Sequence, residues 1–491
     1  MSKLIKSAVL GAGLAMLQAP FGWPPYLVFI LFIPFIELNF SQNSRSRFLN
    51  GFLFGFGYFA IHLKWLSIVG TDAWLGLSAI CAAWWAVASL LSSLHYNSRY
   101  WPFWFASIWT MIEILRDHLP WGGFGWGQLG LIWIDSPFSG LYATLGQVGV
   151  TWLTFFVVAL FYVRIYRSSK GKPSHKLLRV ALVGTAVFCL SWISINFQPV
   201  NYSSSEYVTV AGIQGGVEHY GVGIGNDPYA VINRHINETI LNKEEINKAD
   251  LVIWPESSVD KDPYSDSLTM QKLLEMDSEI IPPVLVGTTI YDEDSLKSNS
   301  AQILNDGSLF TVYEKRHLVP FGEFMPLRNI IEQYTDRANL LSHDFKPGTF
   351  QSKLGIAGIQ LKVLICFEVA DESLSFEDIE SHSAILIPTN NATYQNLGQT
   401  EQQAVYTRIR AIETGRSVFS IATSGQSVIV NPSGDVISSL NQDEVGLLTA
   451  KISKTTGFTL ASKLFWPINL MFFMSCLYGL LAALRNSRIT Q

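Results

Sequence analysis

The sequence predicts a multi-span α-helical membrane domain of about eight helices joined to an α/β domain. Residues 1–198 and 460–484 are mostly apolar and rich in Phe, Trp, Leu and Ile, whereas residues 200–455 mix charged side chains with short apolar runs. Lys and Arg gather in the short connections between the apolar segments. We therefore expect seven spans in residues 1–199, a globular α/β domain in 200–455, and an eighth span with a short tail in 456–491.

Eight apolar segments account for the membrane domain, because a spanning helix needs about 20 mostly apolar residues. They cover residues 4–19, 24–39, 48–70, 73–94, 101–116, 138–163, 177–197 and 461–484. The first two are short and interrupted by prolines, so we expect a tight hairpin there. Lys3 and Lys6 before the first segment would also suit a cleaved signal peptide. No small-x-small cleavage site follows them, and we favour a retained helix.

The placement of Lys and Arg predicts which side of the membrane each connection faces, since short basic loops stay in the cytoplasm. The densest group follows the sixth segment, where six basic residues fall within residues 164–179. Smaller groups precede the first segment and follow the second, the fourth and the eighth. With eight spans these groups share one side, so both termini are predicted to be cytoplasmic. The α/β domain is then predicted to face the periplasm of a multi-pass inner-membrane protein.

The connection at residues 116–139 is predicted to lie on the same side as the α/β domain. It carries Trp121, Trp126 and Trp133, whose amphipathic rings suit the headgroup region of a bilayer. An aromatic belt explains each ring taken singly. Glycines clustered between the rings suggest instead a re-entrant or lid-like turn near the point where lipid enters. Trp126 is accordingly a candidate substrate-binding residue.

The α/β domain is predicted from alternating strand-like and helix-like segments. Short β-branched runs closed by Gly, Pro or Asn predict strands at 207–214, 250–256, 283–290, 361–368, 383–390, 417–425 and 427–434. Longer polar segments at 227–244 and 400–415 predict covering helices. Near-continuous apolar runs such as "VLIC" and "AILIP" indicate strands covered on both faces, as in a layered α/β domain.

Three reactive residues lie at strand ends or in the connections beyond them, where ligand sites of α/β sheets gather. Glu256 ends the strand in "WPESS", and Cys366 ends the strand in "VLICFE". Lys315 lies between them in "YEKRHLVPFGEF", whose Pro320 and Gly322 predict a loop. Cys366 is the only one of the four cysteines outside the apolar segments, so a disulfide within its own domain is excluded.

These residue types suit acyl transfer through a thioester. A free thiol has a pKa of about 8.5, so a neighbouring base or cation is needed to make it reactive at neutral pH. Glu256 is suited to remove the proton. Lys315 is suited to stabilise the thiolate and, with the backbone N–H after Cys366, the negative oxygen of a tetrahedral intermediate. Taken singly, a strand-end cysteine is more often a small buried apolar group, and Glu and Lys are mostly solvated.

The order and spacing of three motifs resemble the nitrilase superfamily. "WPES", "EK" with "LVPFGE", and "ICFE" follow one another, and 59 and 51 residues separate Glu256 from Lys315 and Lys315 from Cys366. That superfamily uses a Glu-Lys-Cys triad on an αββα sandwich. Apolar helices on both sides make the chain similar to the bacterial apolipoprotein N-acyltransferase family. Matching stretches are "GFLFGFGYFAIHLKWL" (51–66), "WTMIEILRDHLPWGGFGWGQ" (109–128), "IQGG" (213–216), "PTNNA" (388–392) and "RIRAIETGRSV" (408–418).

The resemblance implies an acyltransferase with a ping-pong mechanism. An acyl chain from a phospholipid, typically phosphatidylethanolamine, would form a thioester on Cys366. It would then pass to the N-terminal amine of a diacylglyceryl-cysteine lipoprotein, completing lipoprotein maturation. Carried over by motif, Glu256 is the base and Lys315 the cation that stabilises the oxyanion.

Further site residues follow from the same resemblance. Glu323 is expected to orient the lysine and the intermediate, and Glu368 and Phe367 are expected to flank the nucleophile. Besides Trp126, the predicted substrate-binding residues are Trp254, Asn390 and Tyr394.

Two loops depart from the family pattern. "GGVEHYGVGIGNDPY" lacks the Trp that family members usually carry after the "QG" strand end, and Thr393 and Tyr394 replace an aromatic pair. These loops are expected to receive substrate, so an acyltransferase that acts on a different amine stays open.

Composition and spacing also bear on partners and on other functions. A net charge of −5 without a basic stripe gives no reason to expect a nucleic acid partner. His317 and His343 lack the spacing of a metal site, so we expect neither metal nor cofactor. A membrane-tethered nitrilase-like amidase is an alternative, although a single anchor would serve it. A catalytically silent scaffold would not need all three reactive residues. We expect a monomer that contacts the bilayer, a phospholipid donor and a lipoprotein acceptor.

Overall fold

The computed structural model describes most of the chain, namely residues 3–40, 43–167, 187, 189–194, 196, 199–217, 227–291, 296–331, 333, 344–349, 352–394 and 397–489. The chain divides into two units. The helical unit comprises residues 1–119, 125–198 and 459–491, and the α/β unit comprises residues 120–124 and 199–458. The short 120–124 segment therefore belongs to the α/β unit, although its neighbours along the chain belong to the helical unit.

The helical unit is built from apolar helices. They are α1 (Lys3–Ala15), α2 (Leu27–Phe40), α3 (Ser44–His62), α4 (Thr71–Leu91), α5 (Trp101–His118), α6 (Tyr142–Phe161) and α13 (Leu460–Ile489). Within the described residues, three helical segments are long and apolar enough to cross a membrane: Thr71–Leu91, Ser139–Arg164 and Leu460–Arg485. α2 is apolar but shorter. A total of eight spans is thus not confirmed, and the predicted span at 177–197 lies largely outside the described residues.

Small residues and aromatic rings pack the helical unit. α1 and α3 approach so closely that a Cβ on Gly11 would lie 1.8 Å from the carbonyl oxygen of Phe54. The rings of Phe54 and Trp109 meet Phe32 edge to face, with centroids 5.1 and 5.2 Å away. Small residues at helix crossings are typical of packing inside membranes, because they let backbones approach.

The α/β unit contains twelve described strands and several covering helices. The strands are β1 (Val200–Gln214), β2 (Leu251–Ile253), β3 (Val284–Tyr291), β4 (Lys297–Asn305), β5 (Ser308–Glu314), β6 (Leu354–Ile356), β7 (Ile359–Val363), β8 (Ala384–Thr389), β9 (Ser417–Ala422), β10 (Ser427–Val430), β11 (Val436–Leu440) and β12 (Gly446–Gly457). The helices are α7 (Ala230–Leu241), α8 (Lys243–Ile246), α9 (Ser267–Asp277), α10 (Arg328–Ile331), α11 (Glu372–Phe376) and α12 (Gln399–Thr414), with 3₁₀ turns at Cys366–Ala370 and Ile379–Ser381.

The strands form two six-stranded sheets, each with a parallel centre and antiparallel edges. Their orders are β12-β1-β2-β3-β4-β5 and β11-β10-β9-β8-β7-β6. β1, β2 and β3 run parallel in the first sheet, and β7, β8 and β9 run parallel in the second. Parallel neighbours need long crossover connections, and these connections supply the loops at the carboxyl ends of the central strands.

The two sheets pack face to face, and helices cover their outer faces. Val210 of β1 and Val363 of β7 lie in one core, between the sheets. Ala211 and Ile213 belong to a second core, which includes residues of α7 and α9. This division follows from the strand itself, because successive side chains point to opposite faces. α12 packs on β9 and β10 of the second sheet. The αββα layering confirms the layered α/β domain predicted from the sequence.

Two of the predicted strands end earlier than the sequence suggested. The strand expected to reach Glu256 ends at Ile253, and the strand expected to reach Cys366 ends at Val363. Both side chains are therefore presented by the turns that follow the strands.

Candidate active site

Glu256 lies on the turn after β2, where the backbone is held against the neighbouring strand. A Cβ on Gly287 of β3 would lie 2.3 Å from the carbonyl oxygen of Pro255 and 2.7 Å from Cα of Glu256. Only glycine fits at this approach. The next residue, Ser257, has a φ of 54°, in the left-handed region that residues with a side chain rarely adopt. Glu256 is 6% exposed, so protein groups rather than solvent surround its carboxylate.

Three donors converge on the Glu256 carboxylate. Oε1 accepts the side-chain amide of Asn299 at 2.7 Å and the ammonium group of Lys315 at 3.3 Å. Oε2 accepts the backbone N–H of Asn390 at 2.9 Å. Because both oxygens are engaged, the orientation of the carboxylate is fixed.

Lys315 directly follows β5 and is 2% exposed. Its backbone N–H donates to the carbonyl oxygen of Asn299 at 2.8 Å, which extends the β4–β5 pairing. Its ammonium group donates to Glu256 at 3.3 Å and to Glu323 at 2.8 Å. Burial alone would lower the pKa of this lysine, but the two carboxylates outweigh it and hold the pKa well above its usual value. Lys315 is thus a positive charge at neutral pH.

Glu323 connects the lysine to the loop that follows it. Oε1 accepts from Lys315 and, at 3.0 Å, from the side-chain amide of Asn299. Oε2 accepts the backbone N–H of Val319 at 2.8 Å. Glu323 therefore lies where a residue that orients Lys315 is needed.

Cys366 opens the 3₁₀ turn after β7 with a φ of 52°. Such a conformation costs a residue with a side chain about 1–3 kcal/mol, and it is characteristic of functional turns. The charges of Glu256 and Lys315 act on the thiol, and hydrogen bonding by the Thr389 side chain and the Asn390 backbone tends to lower its pKa. Burial, followed by the charge of Glu256, raises the pKa of the thiol to about 12 in spite of Lys315. The thiol is therefore protonated at neutral pH.

The backbone N–H of Asn390 lies beside both Glu256 and Cys366. It donates to Glu256 Oε2 at 2.9 Å, and it also tends to lower the pKa of the Cys366 thiol. The Lys315 ammonium group occupies the other oxygen of the Glu256 carboxylate. The structure brings together three side chains that the sequence places in three separate connections.

Glu368 is fully buried and ties two segments of the site together. Oε2 accepts the Ile365 N–H at 2.7 Å, which closes the turn of the nucleophile. Oε1 accepts the N–H groups of Arg316 and His317 at 2.7 and 3.0 Å and the Tyr313 hydroxyl at 2.9 Å. Burial raises the pKa of Glu368 in spite of these bonds. One carboxylate thereby fixes the turn after β7 relative to the segment after β5.

Aromatic rings line the site beside Phe367. The Phe367 ring stacks on Phe124, with centroids 5.7 Å apart and planes at 21°, and it meets His317 edge to face at 5.4 Å. Phe124 comes from the 120–124 segment of the α/β unit. His317 is held in turn by Asp371, whose Oδ2 lies 2.9 Å from Nδ1.

The predicted substrate-binding residues lie in different surroundings. Asn390 contributes its backbone N–H, while its side-chain oxygen accepts the N–H of Ala392 at 3.1 Å. Burial raises the pKa of the Tyr394 hydroxyl, and the nearby charges of Cys366 and Lys315 also affect that pKa. The altered loop at residues 215–229 lies partly outside the described residues, so its predicted role stays a prediction.

The two predicted tryptophans are enclosed by protein. Trp254 is 0% exposed in the core of the first sheet and its helices, and its indole N–H donates to Thr239 at 3.0 Å. This position suits packing rather than the predicted contact with a substrate. Trp126 belongs to the helical unit, where it is 2% exposed and its ring lies 6.1 Å from that of Trp65. Its substrate-binding role stays a prediction.

Sequence reasoning missed two polar residues of the site. Asn299 lies on β4, outside the predicted strands, and Thr389 lies in the "PTNNA" motif, which carries no predicted role for it. They are 5% and 1% exposed, and buried polar groups are normally hydrogen-bonded. The available signal was a polar side chain at the carboxyl end of an apolar run, as in "AILIPT".

Comparison with known proteins identifies both halves of the chain. A family model described as the apolipoprotein N-acyltransferase N-terminal domain matches residues 10–160, and a carbon-nitrogen hydrolase model matches residues 230–459. An apolipoprotein N-acyltransferase of Coxiella burnetii is 27% identical over 481 residues, covering 93% of this chain and 95% of the relative. Proteins of the same name from Mycolicibacterium smegmatis and Haemophilus influenzae are also 27% identical, covering 93% and 94% of this chain and 81% and 92% of their own.

Proposed function

The chain belongs to the apolipoprotein N-acyltransferase family, a membrane-embedded branch of the nitrilase superfamily, and on this premise we propose how its site works. It transfers an acyl chain from a lipid to the N-terminal amine of a lipoprotein. A tethered amidase is not favoured, because the match extends to the N-terminal domain of the acyltransferases as well as to the hydrolase domain. The donor we propose is phosphatidylethanolamine, and the acceptor is a diacylglyceryl-modified N-terminal cysteine.

In the first half-reaction, the sulfur of Cys366 attacks the ester carbonyl carbon of the phospholipid while Glu256 takes the thiol proton. Negative charge develops on the carbonyl oxygen, where the Lys315 ammonium group and the Phe367 backbone N–H stabilise it. The bond from the acyl carbon to the glycerol oxygen then breaks, and Glu256 returns its proton to that oxygen. A lysophospholipid leaves, and the acyl chain stays on the sulfur as a thioester.

In the second half-reaction, the amine of the acceptor attacks the thioester carbon. Glu256 takes a proton from the attacking nitrogen, and the same oxyanion donors act again. The carbon–sulfur bond breaks, and the proton on Glu256 passes to the leaving sulfur, which restores the neutral thiol of Cys366. One base therefore serves both halves of a ping-pong reaction.

The observation that carries this proposal is the convergence of Glu256, Lys315 and the Asn390 N–H at Cys366: Lys315 and Asn390 both donate to the Glu256 carboxylate, and all three act on the thiol. Burial raises the pKa of that thiol to about 12, so few molecules hold a thiolate before substrate binds. The proton must then leave during the attack, which requires a base in contact with the nucleophile. Glu256 is that base.

We extend the proposal to topology and assembly. α1 to α6 and α13 coincide with seven of the eight predicted apolar segments, which supports eight spans with both termini in the cytoplasm. The basic cluster at 164–179 supports an α/β unit on the periplasmic side of the inner membrane. The residues of the site come from one chain, so we propose that a monomer is active.

The test is an intact-mass measurement on the purified full-length protein incubated with phosphatidylethanolamine. The expected result is an added mass of one acyl chain that maps to the Cys366 peptide. A diacylated lipoprotein peptide, added afterwards, should remove that mass and become triacylated. Cys366→Ala should show neither product, while Cys189→Ala, a change at an exposed cysteine of the helical unit, should behave as wild type. Full turnover by Cys366→Ala would overturn the mechanism.

A further inference from the structure

Thr389 ends β8 and lies beside Cys366 in the parallel pairing of β7 with β8. Val363 pairs with Leu386, and the N–H of Leu364 donates to the Leu386 carbonyl oxygen at 3.0 Å. Thr389 follows Leu386 by three residues at the end of β8, and Cys366 follows Val363 by three residues in the turn after β7. The threonine is 1% exposed, and its hydroxyl is within hydrogen-bonding reach of the sulfur.

A buried amide network fixes the direction of the Thr389 hydroxyl. Gln403 of α12 donates from Nε2 to Thr389 Oγ1 at 2.6 Å. The oxygen of the same side chain accepts from Asn391 Nδ2 at 2.7 Å and from Gln399 Nε2 at 3.1 Å. Because two N–H donors occupy that oxygen, the NH₂ group of Gln403 faces the threonine. All four side chains are at most 4% exposed, so the protein alone sets these orientations.

A hydroxyl has one hydrogen to donate and two lone pairs with which to accept. With Gln403 donating to Oγ1, the hydrogen of Thr389 points away from the amide and toward the sulfur. We propose that Thr389 is a further catalytic residue, which donates a hydrogen bond from its hydroxyl to the sulfur of Cys366, and that Gln403 is the positioning residue that orients it. The inference rests on the proposed thioester chemistry at the same sulfur.

The hydrogen bond matters most when the sulfur carries negative charge. Charge builds up on the sulfur of Cys366 as Glu256 removes the thiol proton, and again when the carbon–sulfur bond of the thioester breaks and its electron pair returns to the sulfur. Hydrogen bonds to a charged acceptor are stronger than those to a neutral one. Thr389 keeps its own proton throughout, and it stabilises the two charged states more than the resting thiol or the thioester. Stabilisation of that kind raises the rate.

The experiment follows alkylation of Cys366 by iodoacetamide in the full-length protein, from about pH 7 to about pH 10, where the thiolate is the reacting form. Mass spectrometry of the Cys366 peptide excludes signal from the other cysteines. Thr389→Val removes the hydroxyl with little change in volume, and we expect alkylation about ten- to a hundredfold slower at each pH. Thr389→Ser keeps the hydroxyl and should stay within about threefold of wild type. In turnover, Thr389→Val should lower kcat and leave KM unchanged.

Gln403→Glu tests the orientation independently of Thr389 itself. A carboxylate oxygen in place of the amide NH₂ accepts the threonine hydrogen and turns it away from the sulfur. We therefore expect a loss in alkylation rate similar to that of Thr389→Val. The matched control is Thr239→Val on α7, because Thr239 is also fully buried and its hydroxyl bonds Trp254 and His235 instead of the sulfur. The control should leave the pH profile of alkylation unchanged.

Two outcomes would overturn the proposal. One is a pH profile of alkylation for Thr389→Val that coincides with wild type, and the other is a Thr389→Ser variant whose alkylation is slowed as much as that of Thr389→Val. If Thr389→Val does not fold, a wild-type pH profile of alkylation in Gln403→Glu would likewise overturn the proposal. Alkylation requires no acyl transfer, so it is independent of the acyl-adduct test. A missing adduct would defeat the proposed function, while a slowed alkylation would still establish the contact between hydroxyl and sulfur.

Discussion

The side-chain amide of Asn299 donates to Glu256 Oε1 at 2.7 Å, and its second hydrogen goes to Glu323 Oε1 at 3.0 Å. Two carboxylates that share a site repel one another. A neutral amide between them satisfies both without adding charge. Together with Lys315, Asn299 therefore keeps Glu256 oriented as a base.

Asn299→Ala should lower kcat about ten- to a hundredfold, because a hydrogen bond to a charged group contributes about 1.5–3 kcal/mol. Asn299→Asp should lower kcat further, since it adds a third negative charge beside Glu256. Steady-state kinetics with a diacylated peptide and phosphatidylethanolamine measures the effect. Asn305→Ala, at the half-buried far end of the same strand, is the control and should keep wild-type activity. Equal kcat values for Asn299→Ala and the control would contradict the prediction.

The wild-type thiol should behave as a weak acid. Because burial raises the pKa of Cys366 to about 12, the thiolate fraction grows with pH across the accessible range. We expect the rate of alkylation by iodoacetamide to rise about tenfold for each pH unit between about pH 7 and about pH 10. Peptide mapping by mass spectrometry provides the rate. A plateau below pH 9 would mean that Lys315 lowers the pKa more than burial raises it.

Glu368→Gln should destabilise the α/β unit and abolish most of the activity. Both oxygens of Glu368 accept backbone N–H groups, so the NH₂ group of a glutamine must face at least one donor. A buried donor left without an acceptor costs about 1–3 kcal/mol. The unfolding midpoint should fall by several degrees, measured by differential scanning fluorimetry in detergent. Glu275→Gln, an exposed change on α9, should have no effect on either quantity.

The sequence predicted the central parallel strands from their apolar runs. "LKV" of "LKVLIC" lies in β7 and "AILIP" lies in β8, and such continuous apolar runs are typical of parallel strands covered on both faces. β4 is largely buried but was missed, since "KSNSAQILN" begins with four polar residues, and β12 was missed as well, since "GLLTAKISKTTG" ends in a polar stretch. Their pairing partners decide their structure, and pairing is not visible in one stretch of sequence.

The reactive residues of the candidate site could be predicted from their residue types, whereas the residues that only support them by contact could not. Glu256, Lys315 and Cys366 stand out because a base, a cation and a thiol at strand ends suit one chemistry. Asn299 and Thr389 do not stand out, because their importance depends on the register that sets each beside a reactive group. The strands that precede Glu256 and Cys366 end three residues earlier, at Ile253 and Val363, and each turn that follows contains a residue with a positive φ, Ser257 or Cys366.

Gly287→Ala should inactivate the protein through the position of Glu256. The added Cβ would lie 2.3 Å from the carbonyl oxygen of Pro255, which is backbone and has little room to move. The turn that carries Glu256 must shift, and a shift of a catalytic group by about 1 Å can reduce the rate about a hundredfold. Gly446→Ala is the control, because its Cβ would meet only Leu440 at 3.5 Å. Acyl-adduct formation measures both variants, and equal yields would contradict the prediction.

The ion pair between His317 and Asp371 should make stability depend on pH. Burial tends to raise the pKa of Asp371, but His317, the Ser373 hydroxyl and the Leu374 N–H outweigh it and lower that pKa. Burial tends to lower the pKa of His317, but Asp371 outweighs it and raises that pKa. The contribution of ionised Asp371 to the free energy of unfolding is therefore complete above the unfolded-state pKa of about 3.9, and it is lost as pH falls through the pKa of the folded state. The histidine contribution is complete below about pH 6.5 and is lost as pH rises through its folded value.

Asp371→Asn should therefore lower the unfolding midpoint most between about pH 4 and about pH 6.5, and the difference from wild type should shrink toward pH 9. Asparagine still accepts the N–H groups of Ser373 and Leu374, because it caps helices about as well as aspartate. The variant thus removes the charge and keeps the cap of α11. Thermal unfolding of the full-length protein at several pH values measures the difference, with the exposed Asp306→Asn as the control. A deficit that stays constant across that range would show that the pair acts through its hydrogen bond alone and not through charge.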